Sequence, residues 1–175
     1  MRGWGRFWGL VGVTVFLMSA VIRVLPGWEE VSTAGGPLAY GLLAILLPVM
    51  GYFEGYRGFY KGFAPRVVSR SKALTIQTKP MYWVLAPLFC MGFIGSTCRR
   101  KAGLAIVTLC IVGLVFGVKA LPQPWRWVID LSVAVALFSG TLSIVWLAYR
   151  DWNKEGYLCD PEIPGLSARG KGVSF

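Results

Sequence analysis

The residues that could carry chemistry in this chain are few, and the best of them lie in one apolar run, 127–149. Asp130 is the only acid in that run, and three hydroxyl side chains follow it near the middle: Ser139, Thr141 and Ser143. An isolated carboxylate within a membrane helix pairs with a cation or carries a proton or substrate. We interpret Asp130 as an ion-pair or interface residue, with a proton or substrate site as the alternative.

Histidine is absent from the chain, and this removes several kinds of site at once. Histidine-ligated haem, histidine metal sites and the usual general base are excluded. The cysteines contain no C-x-x-C pair, so we expect free thiols and no zinc: Cys90, Cys98, Cys110 and Cys159. We predict no cofactor, and the aromatic content of 14% leaves a bound lipid or pigment open.

The stretch 51–63, GYFEGYRGFYKGF, contains four glycines at spacings of 4, 3 and 4: Gly51, Gly55, Gly58 and Gly62. On a wheel of 100° per residue, the glycines, the aromatic residues and the charged residues occupy three separate faces. A loop would not sort its residues in this way. We therefore predict a helix, with its glycine face packed closely against another element, for which the 81–97 segment is the candidate.

A second pair of glycines occurs in the apolar run 102–118. Gly113 and Gly117 are separated by three residues. This small-xxx-small spacing lets the backbones of two membrane helices approach each other. We predict that both glycines serve helix packing.

Basic residues are concentrated in the middle of the chain, where nine of them and a single acid lie between Glu54 and Lys101. The positive-inside rule places such a region on the cytoplasmic side. Seven of these residues are candidates for binding anionic lipid headgroups: Arg57, Lys61, Arg66, Arg70, Arg99, Arg100 and Lys101. Nucleic acid is not an expected partner, because no recognition motif accompanies the charge.

Four long apolar runs predict an all-α, polytopic membrane bundle: 7–25, 37–53, 102–118 and 127–149. Runs of about 17–25 apolar residues cross a bilayer as helices. The first run resembles a signal peptide in its charges but lacks a clean cleavage site, so we expect it to be retained. Residues 1–150 are predicted to form one transmembrane domain, followed by a flexible cytoplasmic tail, 151–175.

The fifth apolar segment, 81–97, has a proline at its centre and can be a re-entrant segment or a short fifth helix. If it re-enters, all basic residues except three share one side: Arg23, Lys119 and Arg126. This charge bias favours four crossings, with both termini and the 54–79 loop in the cytoplasm. A bacterial inner membrane is the expected location.

These observations favour a non-enzymatic accessory or assembly subunit that works through helix–helix and lipid contacts. Its expected partners are anionic membrane lipids and other membrane subunits or further copies of itself. One alternative is a small transporter or channel that uses Asp130 and the 139–143 patch. Another is an enzyme that modifies lipid or isoprenoid phosphates.

Overall fold

Apolar runs long enough to cross a bilayer form most of the structure. This computed structural model describes residues 2–24, 36–75, 80–122, 125–154, 156–161 and 163. The helices are α1 (Arg2–Val24), α2 (Pro37–Met50), α3 (Ala64–Ala73), α4 (Pro80–Val84), α5 (Ala86–Met91), α6 (Cys98–Lys119) and α7 (Trp125–Arg150). A π-helical segment, Gly51–Phe63, joins α2 to α3 without a break.

Four helical stretches are long and apolar enough to cross a membrane: Gly3–Arg23, Pro37–Ala73, Arg100–Lys119 and Trp125–Arg150. The prediction of an all-α membrane bundle with four such helices is confirmed. The second stretch has 37 residues, more than the roughly 20 that a bilayer needs. The helix therefore extends past the apolar layer, and its last part is α3.

The last helix, α7, is the centre of the bundle and packs against α1, α2 and the π-helical segment. Small side chains fill most of its buried face: Ser132, Ala134, Ala136, Gly140, Thr141 and Ala148. Such residues let neighbouring backbones come close, which supplies the van der Waals contact that drives helix association in lipid.

The start of α1, the end of α7 and helix α3 meet at one side of the bundle. Arg6, near the start of α1, donates hydrogen bonds to the carbonyl oxygens of Asp151 and Trp152, just after α7. Lys72 of α3 forms an ion pair with the Asp151 carboxylate. We call this side of the bundle, which holds Arg6, Arg70, Lys72 and Asp151, the basic end.

The 81–97 segment stays at the basic end instead of crossing. Its helices α4 and α5 have five and six residues, each under about 10 Å in length. Leu85 breaks the path between them, and the turn after α5 uses positive φ angles at Gly92 (97°) and Gly95 (68°). The segment packs against the first half of α1 and against α3.

We expected a flexible tail from residue 151, and in the described residues as far as Ile163 the beginning of the tail packs on the bundle. Asp151, Pro161 and Ile163 are buried. The backbone N–H of Cys159 donates to Ser69 Oγ of α3 at 3.1 Å. Proline and glycine content suggested a loose chain, but buried side chains of α3 bind its carbonyl groups. Residues 164–175 lie outside the described part.

Glycines of α1 should be necessary where α5 approaches. A Cβ at Gly12 would overlap the Pro87 ring, whereas a Cβ at Gly41 of α2 has no atom within 4 Å. Gly12→Ala should therefore lower the free energy of unfolding by about 1–3 kcal/mol through overpacking. The control Gly41→Ala should leave it equal or higher, because alanine favours helix. Thermal unfolding in mild detergent measures both, and equal midpoints would contradict this packing.

Candidate functional site

Arg70 lies at the centre of the basic end, where the short helix α3 carries it into the interior. Its side chain is 1% exposed. Nε donates to the carbonyl oxygen of Phe89 at 2.6 Å, Nη2 to that of Ile94 at 2.6 Å, and Nη1 to that of Pro161 at 2.7 Å. One guanidinium thus joins α3 to the end of α5, to the turn that follows and to the tail.

Lys72 makes a second connection, two residues further along α3. Its ammonium contacts Asp151 Oδ2 at 2.5 Å and donates to the carbonyl oxygens of Lys154 at 3.0 Å and Gly156 at 2.9 Å. Two of the three donor hydrogens of the ammonium go to these carbonyl oxygens, and the Asp151 carboxylate balances its charge. Arg6 adds a third connection by stacking its guanidinium 4.2 Å from the centre of the Trp152 ring.

The seven predicted headgroup-binding residues differ in how far their side chains are exposed. Arg57, Lys61, Arg66 and Lys101 are exposed, and Arg100 is half-buried. The side chain of Arg99 lies outside the described part. Arg70, also predicted to bind headgroups, is buried, and its guanidinium donates to carbonyl groups of the protein itself.

Cys90 lies beside this cluster in α5. Burial raises the pKa of its thiol to about 12, although the Arg70 guanidinium acts in the opposite direction. A Cβ at Gly9 of α1 would lie 2.8 Å from its Sγ. A protonated thiol closed off in this way is a packing group and not a nucleophile at neutral pH.

The glycine-rich stretch is helical, but its hydrogen bonds are of the i→i+5 kind: the N–H of Ala64 bonds to the carbonyl of Phe59. Such a helix turns by roughly 85° per residue instead of 100°. The four glycines therefore do not share one face. They divide into two pairs about a third of a turn apart, Gly51 with Gly55 and Gly58 with Gly62.

Only one of these glycines meets a neighbouring helix. A Cβ at Gly55 would overlap Ser139 Oγ of α7, while Gly58 and Gly62 meet carbonyl oxygens of their own helix. In return, Gly140 of α7 leaves room for Phe59, whose ring would lie 2.5 Å from a Cβ there. The neighbour of the glycine stretch is thus α7 and not the 81–97 segment.

The same geometry aligns three tyrosines along the π-helical segment. Ring centroids are 5.9 Å apart between Tyr52 and Tyr56, and 5.6 Å apart between Tyr56 and Tyr60. The Lys61 ammonium lies 4.9 Å from the centre of the Tyr56 ring. Between this row and α7 is a cleft of about 220 Å³ with six lining residues: Gly51, Gly55, Tyr56, Tyr60, Ser139 and Ser143.

The hydroxyl patch of α7 bonds to its own helix. Ser139 donates to the carbonyl oxygen of Ala136, Thr141 to that of Leu137, and Ser143 to that of Ser139. Donation to a carbonyl three or four residues earlier is a common way to satisfy a hydroxyl in a membrane helix. Ser139 and Ser143 nevertheless line the cleft, where their oxygens can still accept a hydrogen bond.

Asp130 lies at the opposite end of α7 from the basic end. Its Oδ2 is 3.6 Å from Arg126 Nε, one helical turn earlier, and both side chains are more than a third exposed. The geometry is that of an i,i+4 ion pair near the end of a helix.

Helix α6 differs from the other long helices because it hardly contacts the bundle. Of its described side chains only Val118 is buried. Neither Gly113 nor Gly117 has any atom within 4 Å of a Cβ placed on it. The two glycines therefore pack against nothing in the described part of this chain.

Sequence reasoning missed two groups of residues. Gly5, Gly9 and Gly12 of α1 face Trp83, Cys90 and Pro87, and their spacing of 4 and 3 was visible in the sequence. The partnership of Lys72 with Asp151 had no comparable signal, because the two lie far apart in the chain. Only the fold brings them together.

Comparison with protein-family models, curated proteins and solved structures gives no match. The described residues also contain no group of three or more histidine, cysteine or carboxylate side chains that could hold a metal ion. Assignment of a function therefore depends on the geometry alone.

Removing the Arg70 guanidinium should release the tail. Arg70→Met leaves the carbonyl groups of Ile94 and Pro161 without the guanidinium donor, at about 1–3 kcal/mol each, so at least about 2 kcal/mol of stability should be lost. The exposed Arg66 serves as the control, and Arg66→Met should change little. Limited proteolysis of the 151–163 stretch in detergent measures the effect. Equal protection of the tail in both variants would show that Arg70 is not its anchor.

Proposed function

We propose that this protein is a non-enzymatic accessory or assembly subunit of a membrane, which docks another spanning helix on α6. The observation that carries the proposal is the exposure of α6 along almost its whole length. In lipid there is no hydrophobic driving force to bury such a helix, so exposure alone does not require a partner. The distribution of small residues on α6 supplies the further argument.

Small residues of α6 gather on one side. At 100° per residue, five of them fall within an arc of about 100°: Ala102, Gly103, Cys110, Gly113 and Gly117. Two large residues share this arc, Ile106 near its centre and Arg99 in the first turn of the helix. We call this side the small face of α6. A flat face of this kind lets a second backbone approach closely, and the helix that would use it is not among the described residues.

The pairing of the polar groups supports the same class of function. Arg70 donates to a carbonyl group of α5, and Lys72 is paired with Asp151. Asp130 is paired with Arg126. A transport path would need polar groups near the middle of the bilayer that are open to a substrate, and an enzyme would need a nucleophile or base. An assembly role needs neither.

The orientation follows from charge and is part of the proposal. The described basic residues lie toward the basic end, apart from three at the opposite end: Arg23, Lys119 and Arg126. By the positive-inside rule the basic end is cytoplasmic, as in a bacterial inner membrane. Headgroup contacts then come from exposed residues such as Arg57, Lys61 and Arg66.

Large side chains on the small face of α6 should break the assembly. Gly113→Leu together with Gly117→Leu places two large side chains where the partner backbone would lie, so the complex should dissociate at least about tenfold more readily, as for a loss of roughly 1.4 kcal/mol. The control is Thr108→Leu, because Thr108 lies on the opposite side of α6. Native mass spectrometry in mild detergent measures the mass of the complex.

Two results support the proposal and distinguish the partners. A complex of two or more copies identifies self-association, and a stable second protein at fixed stoichiometry identifies another subunit. In either case the glycine variant, and not the Thr108 variant, must lose it. A monomeric wild type, or equal assembly of both variants, would contradict the proposal.

A further inference from the structure

The cleft between the π-helical segment and α7 lies within the half of the bilayer nearer the basic end. Its floor begins at Gly51, where α2 has already run 14 residues, or about 21 Å. Ser139 is equally far along α7, about 21 Å from its start at Trp125. Since a hydrocarbon core is about 30 Å thick, the cleft occupies its last third and ends near the headgroups.

Polar groups gather at this depth in a pattern that needs a ligand. Within the described part of the chain, the hydroxyls of Tyr56 and Tyr60 make no hydrogen bond. Ser139 and Ser143 donate to carbonyl groups of α7 but keep acceptor capacity. A hydroxyl at the edge of the hydrocarbon layer is stabilised by a hydrogen-bond partner, which a lipid or a water molecule can supply there. A molecule that brings hydrogen-bond acceptors to the tyrosines would provide that partner.

A cation lies beside the tyrosine row, next to the cleft but outside its lining residues. The Lys61 ammonium lies over the Tyr56 ring at 4.9 Å, five residues further along the segment. Its side chain is exposed, so a ligand can reach it. The cleft is thus lined by small residues and hydroxyl groups, and a positive charge lies beside its tyrosine row.

We infer that this cleft binds one phospholipid with an anionic headgroup. Its ester carbonyl groups accept hydrogen bonds from Tyr56 and Tyr60, its phosphate contacts Lys61, and one acyl chain lies on Gly51 and Gly55. A phospholipid presents phosphate, esters and hydrocarbon in this order along the membrane normal. The π-helical geometry makes the cleft, because it turns Gly51 and Gly55 toward α7 and aligns the tyrosines beside them.

This inference does not rest on the assembly role of α6. The cleft is formed by the π-helical segment and α7, and the small face belongs to another helix. Loss of lipid binding and loss of assembly can therefore be measured separately in the same variants.

The test uses the protein reconstituted in phosphatidylcholine vesicles with a small amount of spin-labelled phosphatidylglycerol or spin-labelled phosphatidylcholine. Electron paramagnetic resonance measures the motionally restricted fraction of each label. Wild type should restrict phosphatidylglycerol more strongly than phosphatidylcholine. Lys61→Gln should reduce that preference about fivefold, as expected for one basic residue near anionic lipid.

Filling the cleft should remove the binding itself. Ser143→Phe places a ring in the cleft and should lower the restricted fraction of both labels. Leu142→Phe adds the same ring on the exposed side of α7 and should leave it unchanged. If Ser143→Phe does not fold, as thermal unfolding would show, Tyr60→Phe tests the hydroxyl alone and should weaken restriction while keeping the ring.

Three results would overturn the inference. The first is an unchanged restricted fraction in Ser143→Phe or, where that variant does not fold, in Tyr60→Phe. The second is a full preference for phosphatidylglycerol in Lys61→Gln. The third is purified protein that retains a carbonyl-bearing ring lipid without phosphate, such as an isoprenoid quinone, in place of a phospholipid.

Discussion

The buried guanidinium of Arg70 is the interaction on which the basic end depends. It donates to three carbonyl groups, those of Phe89, Ile94 and Pro161, which belong to the end of α5, the turn after it and the tail. A buried charge is costly unless hydrogen bonds compensate it. Because the buried guanidinium must be hydrogen-bonded, its three acceptors fix the positions of α5, the turn after it and the tail.

The contacts at the basic end also determine where the other helices lie. The packed turn starts α6 at the edge of the bundle, and α7 returns to the centre between α1 and the π-helical segment. Small residues are used where helices meet, as at Gly12 under Pro87 and at Gly140 under Phe59. The small face of α6 has the same composition but no neighbour in the described part of the chain, and this is why we assign it to a partner.

Sequence reasoning found the spanning helices because uninterrupted apolar runs leave few alternatives to a membrane helix. It placed Arg70 at the surface, since nothing local distinguishes it from the exposed Arg66. It also put four glycines on one face, because it assumed 100° per residue, and the π-helical turn separates them. Burial of charge and local helix type depend on contacts such as Lys72 with Asp151, which lie 79 positions apart.

The most direct test of the account is photo-crosslinking from α6 in native membranes. A photoreactive amino acid at Ile106 lies at the centre of the small face, and one at Thr108 lies on the opposite side. The account predicts a discrete crosslinked protein from position 106 and none from position 108. Equal crosslinking to protein from both positions, or adducts with lipid alone from position 106, would contradict the assignment of α6 as the contact helix.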